Sequence, residues 1–163
     1  MKKTILALLA IVATLFITSC NDYKAPTSMR QAFSERYPNA VDVEWERKRG
    51  HAVADFHIPG QWGEYEAWYT LKGEWVMTKH DIQYSDLPVA VRSAFEQGYG
   101  TETPVDDVER LDRSNGSTIY IIEATVVING LLTDIYLDYD EDGTLLRTSA
   151  DIEDYDNIYY YLP

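Results

Sequence analysis

The stretch EAWYTLKGEWVMTKHDIQYSDLPVAV, Glu66 to Val91, decides the fold. It reads as a strand from Glu66 to Leu71, a tight turn at Lys72-Gly73, and a second strand from Glu74. Asp81-Ile82, a short link and a helix opening at Leu87-Pro88 follow. The same order recurs at Ile135–Tyr139, a turn at Asp142-Gly143, Thr144–Thr148 and Asp151-Ile152. The chain therefore reads as two copies of one module, with this stretch as the hinge between them. Arg30-Gln31-Ala32-Phe33 matches Arg92-Ser93-Ala94-Phe95 at an offset of 62, Val43-Glu44 matches Val108-Glu109 at 65, and Gly73 matches Gly143 at 70. The offset grows only where loops fall, as insertions should.

Outward from that stretch the periodicities are consistent. Thr27 is placed to cap a helix running to Arg36, with Met29, Ala32, Phe33 and Tyr37 on one side. Val41, Val43 and Trp45 alternate with acids, the period of a half-buried strand. His51–His57 forms the next strand, and Pro59-Gly60 to Gly63 a loop. In the second half Leu87, Val91, Ala94 and Phe95 have helical spacing, and Gly98 and Gly100 end that helix. Strands at Asp106–Leu111, Thr118–Ile128 and Leu131–Tyr139 are separated by Ser114-Asn115-Gly116 and Asn129-Gly130, both strong hairpin signals. The expected fold is α+β: a tandem repeat of helix plus four antiparallel strands, in one continuous curved sheet with both helices on one face. The repeats span residues 27–82 and 84–152. The Tyr159-Tyr160-Tyr161-Leu162 tail is expected to be ordered and to pack on the sheet.

The N-terminus reads as a targeting segment. Lys2-Lys3 precede an apolar run from Thr4, too short for a comfortable membrane span, so residues 1–19 are expected to be a signal peptide. Ile17-Thr18-Ser19-Cys20 resembles a bacterial lipobox, which makes Cys20 the expected lipid attachment point and residues 20–26 a tether. Cys20 is the only cysteine, so a disulfide framework is excluded. Removal of residues 1–19 leaves 12 basic residues (14 less Lys2 and Lys3) against 27 acids, a formal charge of −15. Such a surface repels phosphate backbones and anionic headgroups. Nucleic acid is not expected as a partner, and membrane contact is expected only through the lipid. The acids crowded from Asp134 to Asp156 are either a solvated face or a docking surface for a basic partner.

Phe33-x-x-x-Tyr37-Pro38-x-Ala40, Val43-x-Trp45, Ala54-Asp55-Phe56, Glu66-Ala67-Trp68, Gly73-Glu74-Trp75, Thr78 and Tyr84-Ser85-Asp86-Leu87-Pro88 together resemble the PepSY-like, β-lactamase-inhibitor-like proteins of Gram-negative envelopes. The resemblance covers about residues 27–152. It implies a tandem α+β repeat, export, frequent lipid anchoring, and no established enzyme activity. It also implies a comparison with inhibitors and propeptide modules that bind a protein partner through the sheet and its loops. No inhibitory residue of those relatives has a counterpart here, and a fold likeness does not settle function.

The candidate binding residues are Trp62 and Trp68. All four tryptophans lie in the first half. Trp68 shares a strand face with Glu66 and Thr70, opposite Tyr65, Ala67 and Tyr69, so it is expected on the face turned away from the helices. Each tryptophan either fills core or forms part of a partner-facing patch, where aromatic residues make good anchors. Asp138, Asp140 and Asp142 match the first half of a calcium loop, but Ser149 stands where a bidentate Glu belongs. The turn is read as acidic, with weak calcium binding as the other reading. His51 and His57 lie about 20 Å apart on one strand at ~3.3 Å per residue, too far to share a metal. No nucleophile elbow, phosphate loop or paired-acid motif occurs, so no catalytic residue and no cofactor is expected. The function expected is a non-enzymatic envelope module that binds a protein or peptide on its open sheet face. The alternative is a small-ligand or ion carrier.

Overall fold

The computed structural model describes residues 23–150 and 157–162. The expected signal segment at residues 1–19, the expected lipid site Cys20 and the Asp151-Ile152 pair lie outside these residues. Eight strands follow one another across a single antiparallel sheet in chain order. They are β1 (Val41–Lys48), β2 (His51–His57), β3 (Tyr65–Thr70), β4 (Trp75–Asp81), β5 (Val105–Arg113), β6 (Thr118–Ile128), β7 (Leu131–Asp140) and β8 (Leu145–Ala150). Helix α1 (Thr27–Arg36) precedes β1, and helix α2 (Val89–Tyr99) lies between β4 and β5.

The register fixes which side chains share a face, because residues directly opposite one another point the same way. Phe56, Tyr65, His80, Arg110, Tyr120 and Tyr139 are opposed in succession from β2 to β7. Met29 and Phe33 of α1 pack at the Phe56 and Tyr65 end of this row. Val91 and Phe95 of α2 pack at the Tyr120 and Tyr139 end. Both helices therefore cover the same face. Ala52, Ala54 and Ala67 are wholly buried beneath α1 and leave room for rings above them. Phe33 fills that room, edge-on to Trp45 and Phe56. Burial of a Phe or Met side chain of this kind contributes about 1.5–3 kcal/mol.

Local expectations needed adjustment at the helix ends. Pro26 occupies the N-cap position of α1 without a side-chain hydrogen bond. Thr27 is the first helical residue, and its Oγ1 accepts from Arg30. Ala32 is exposed, which leaves α1 a narrower stripe than its spacing implied. Gly98 is helical, and Gly100 alone ends α2, at φ 94°. The tail is ordered as a short 3-10 helix over Asn157–Tyr161 and packs on the sheet.

Antiparallel succession puts the connections alternately at two ends of the sheet. The turns after β1, β3, β5 and β7 lie at one end. The loops after β2 and β4 and the β6–β7 turn lie at the other. The first turn of α1 belongs to the former end, since Gly73 faces Met29 there. The chain thus enters the domain at the end opposite the β6–β7 turn. The β7–β8 turn at that entry end rests against α2. A Cβ at Gly143 would stand 2.5 Å from the carbonyl oxygen of Ala90, with φ at +81°. Gly116, at φ +85°, has open space around it.

These two glycines give a test of the packing. Left-handed strain alone costs about 1 kcal/mol, and an immovable backbone contact adds about 1–3 kcal/mol. Gly143→Ala is expected to lose at least about twice the stability lost by Gly116→Ala in urea unfolding. Equal losses would mean that the β7–β8 turn does not seat on α2.

Candidate binding site

The face turned away from the helices divides into two parts. Nearer the entry end lies an apolar patch of Val53, Trp68, Val76, Met77, Leu111, Ile119 and Ile121. Trp68 sits on this face, as its position in β3 implied, but it is not open to solvent. Its exposure is 0%, because Tyr159 lies edge-on over it with ring centroids 5.9 Å apart. Tyr161 and Leu162 complete the cover. Trp68 Nε1 donates to Glu66 at 3.1 Å. The expectation of an exposed Trp68 anchor failed because the chain's own tail, far away in sequence, occupies that place.

Asp138 lies under the same tail. It is fully buried, accepts from Arg147 Nε at 2.8 Å, and accepts from the Tyr161 hydroxyl at 2.6 Å. Asp140 instead takes the backbone N–H groups of Asp142 and Thr144 in its own turn. Asp138, Asp140 and Asp142 do not converge, and the half-match to a calcium loop has no matching geometry. Three other carboxylates do converge: Asp81, Asp107 and Glu109 place ligand atoms within 4.8 Å of one another. Lys79 Nζ already stands 2.9 Å from Glu109. Two strands supply this group, so no single stretch of sequence announces it.

The remainder of this face is acidic. Asp55, Glu66, Asp81, Asp107, Glu109, Glu123 and Asp134 lie on or beside it, with Lys48 and Lys79 among them. Burial pushes the Asp55 carboxyl up to about 6, with Lys48 opposing and Glu66 and Glu46 adding to the rise. Burial also raises Asp107, and the neighbouring Asp81 adds to it. Glu123 is raised by burial and by Asp107, Asp106 and Asp134. Burial is the main cause in all three, and neighbouring acids add to it.

Trp62 stands on the other face, 54% exposed, at the rim of a cavity of about 330 Å³ between the two helices. Tyr65, His80, Arg110 and Tyr120 line it, with Asp86 across from the tryptophan loop. The Tyr65 and His80 rings stack at 4.6 Å. Arg110 is tied to Asp112 through Nε and Nη2. Burial and then Arg110 lower the His80 pKa, so its imidazole is neutral near neutral pH. Trp62 and Trp68 thus lie on opposite faces and form no common patch.

The feature that sequence reading passed over is the β6–β7 turn. Val127, Ile128, Leu131 and Leu132 flank Asn129-Gly130 and are 68%, 44%, 70% and 78% exposed. Asn129 and Gly130 both have positive φ, which suits the tight hairpin turn. Among the described residues, these four side chains extend past the paired ends of the neighbouring strands and belong to no core cluster. Acids stand at the base, where Thr125 Oγ1 lies 2.8 Å from both Asp106 and Asp134. The run Val126-Val127-Ile128 and Leu131-Leu132 was legible as strand. Its exposure was not, because alternation alone does not say where a sheet ends.

The family model described as "Putative beta-lactamase-inhibitor-like, PepSY-like" matches residues 39–147. No curated protein matches the chain. Among solved structures, a DUF2874 family protein from Bacteroides ovatus is 26% identical, with a TM-score of 0.75 over 86% of this chain and 99% of that one. A BLIP-like protein from Bacteroides fragilis is 29% identical, with a TM-score of 0.71 over 83% of this chain and 94% of that one. A Bacteroides eggerthii chain described as one of the "putative periplasmic proteins" is 25% identical, with a TM-score of 0.72 over 84% and 96%. Among the described residues, no helix is long and apolar enough to cross a membrane.

The raised Asp55 carboxyl has a consequence for stability. An unfolded Asp titrates near its ordinary 3.8, and the folded one near 6. The folded chain holds this proton more tightly, so the contribution is present below about pH 4 and is lost as pH rises through about 6. Asp55→Asn is expected to melt above the parent chain at pH 7 and level with it near pH 4. The same gap at both pH values would mean that Asp55 ionises as an ordinary carboxylate.

Proposed function

The chain belongs to the PepSY-like, β-lactamase-inhibitor-like family, and from that premise we propose that it is a non-catalytic binding module of the cell envelope. Residues 1–19 are its signal peptide, and Cys20 carries its lipid. It stands on the periplasmic side or the surface of the outer membrane. Its two halves are tandem repeats of one helix-plus-four-strand unit, a reading supported by the element order and the offsets between the halves. Its partner is a protein or peptide held in the manner of an inhibitor.

The observation that carries this reading is the apolar β6–β7 tip. Four large side chains grouped at a turn and left in water mark an interaction site. The tip lies at the end of the sheet opposite the point of chain entry. From Cys20 to Thr27 the chain spans at most about 25 Å when extended, whereas β6 alone runs for about 36 Å at ~3.3 Å per residue. Ala25 is already buried on the domain, which shortens the tether further. The tip therefore points away from the anchoring membrane, and its acidic base repels anionic headgroups. A protein pocket with an apolar floor and a basic rim fits both features. Trp68, expected from the sequence to anchor the partner, belongs to the fold in this reading.

A carrier function has one observation in its favour, the cavity between Trp62 and Asp86 with Arg110 on its floor. A ligand bound there raises the melting midpoint of the folded chain.

The test uses residues 21–163 immobilised without lipid and exposed to a detergent extract of the source envelope. Leu131→Asp/Leu132→Asp, which leaves both helix-side cores untouched, is expected to weaken retention of the specific partner at least tenfold, the size of a hot-spot loss. Retention of the same protein by the parent and the variant would overturn the tip as the site.

A further inference from the structure

We propose that the groove around Trp68 is a peptide-binding site whose resident occupant is the chain's own tail, and that it accepts a tyrosine-rich segment of the same chemistry from another chain. This site is independent of the β6–β7 tip.

The groove is built for recognition as well as for cover. Tyr159 and Tyr161 turn inward, while Tyr160 is exposed. Each ring meets a guanidinium: Arg49 lies 4.1 Å from the Tyr159 centroid, Arg147 4.9 Å from Tyr160, and Arg113 5.2 Å from Tyr161. Arg113 Nη2 also donates to the Tyr161 carbonyl at 3.4 Å. Three arginines from three separate loops and strands thus stack on three consecutive tyrosines. Their local positive charge stands out in a chain with 14 basic residues and 27 acids.

The buried carboxylate of Asp138 points the same way. A floor needed only for packing would be apolar, because a buried charge is costly unless fully paired. Asp138 Oδ2 takes both the Tyr161 hydroxyl and Arg147. Its Oδ1 is buried and has no hydrogen-bond partner among the described residues. The tail therefore satisfies the recognition group only in part. A segment that placed a second donor on Oδ1 would fit better and displace it. The ligand class is a short segment with inward tyrosines at alternate positions followed by an aliphatic residue.

The probe is the synthetic peptide Asn157–Pro163 of this chain. A chain ending at Asp156 is expected to bind it saturably, with a rise in melting midpoint and a change in tryptophan emission. The same peptide with serine for each tyrosine is expected not to bind. Because the shortened chain exposes an apolar patch and is at risk of aggregation, Tyr161→Phe in the full-length chain provides a second arm. It keeps the packing but loses the hydroxyl to Asp138, which weakens the resident occupant. Tyr161→Phe is expected to bind the added peptide at least tenfold more tightly than the parent chain. A folded shortened chain that ignores the peptide, or a Tyr161→Phe chain that binds it no better than the parent, would overturn the proposal.

Discussion

The rest of the molecule depends on the pairing of β4 with β5. Five opposed pairs, Met77 with Arg113 through Asp81 with Glu109, join the two halves of the sheet edge to edge. The backbone N–H of Ile82 extends the ladder to the Val108 carbonyl. Neither helix crosses this joint. Tyr37 reaches Thr78 from one side, and Tyr84 and Phe95 pack together on the other. Without the ladder each half would be a four-stranded sheet with one helix and an unpaired edge, a liability that folded proteins avoid.

The continuous sheet accounts for where surface is left over. Two helices side by side on one face leave a gap above the joint, and His80, Arg110 and Asp112 fall there with the cavity beside Trp62. The opposite face carries neither α1 nor α2. Its apolar part is closed by the C-terminal tyrosines. Its polar part holds carboxylates whose pKa values are raised by burial and, to a lesser extent, by one another. The hairpin at the far end overruns its neighbours, so its apolar residues lack a second layer. Each of these surfaces follows from one fact: eight strands are more than two short helices can cover.

Most of the fold was legible from periodicity and turn chemistry. β2 and β6 were placed residue for residue, and the Asn129-Gly130 turn formed as its sequence required. The two-residue period also put Tyr65, Ala67 and Tyr69 on the helix side and Trp68 on the other. The site was much less legible. Whether Trp68 was exposed depended on Tyr159, some ninety positions away, and nothing local encodes such a contact. Asp138 in the apparent calcium loop was committed instead to Arg147, its cross-strand partner in the hairpin, and to Tyr161 of the tail. Asp81, Asp107 and Glu109 come together only through the β4–β5 register. Thr27 looked like a cap by residue type, but Pro26 took that position.

Hydrogen–deuterium exchange on residues 21–163, resolved to single amides, reads the β4–β5 joint itself. One continuous sheet predicts that the inward-facing amides of β4 and β5, including Ile82, exchange as slowly as those of β2–β3 and β6–β7 and open in the same cooperative step. Fast exchange along β4 and β5, with the flanking strands still protected, would mean two independent units. The uncovered face, the cavity and the tip would then not follow from one shared sheet.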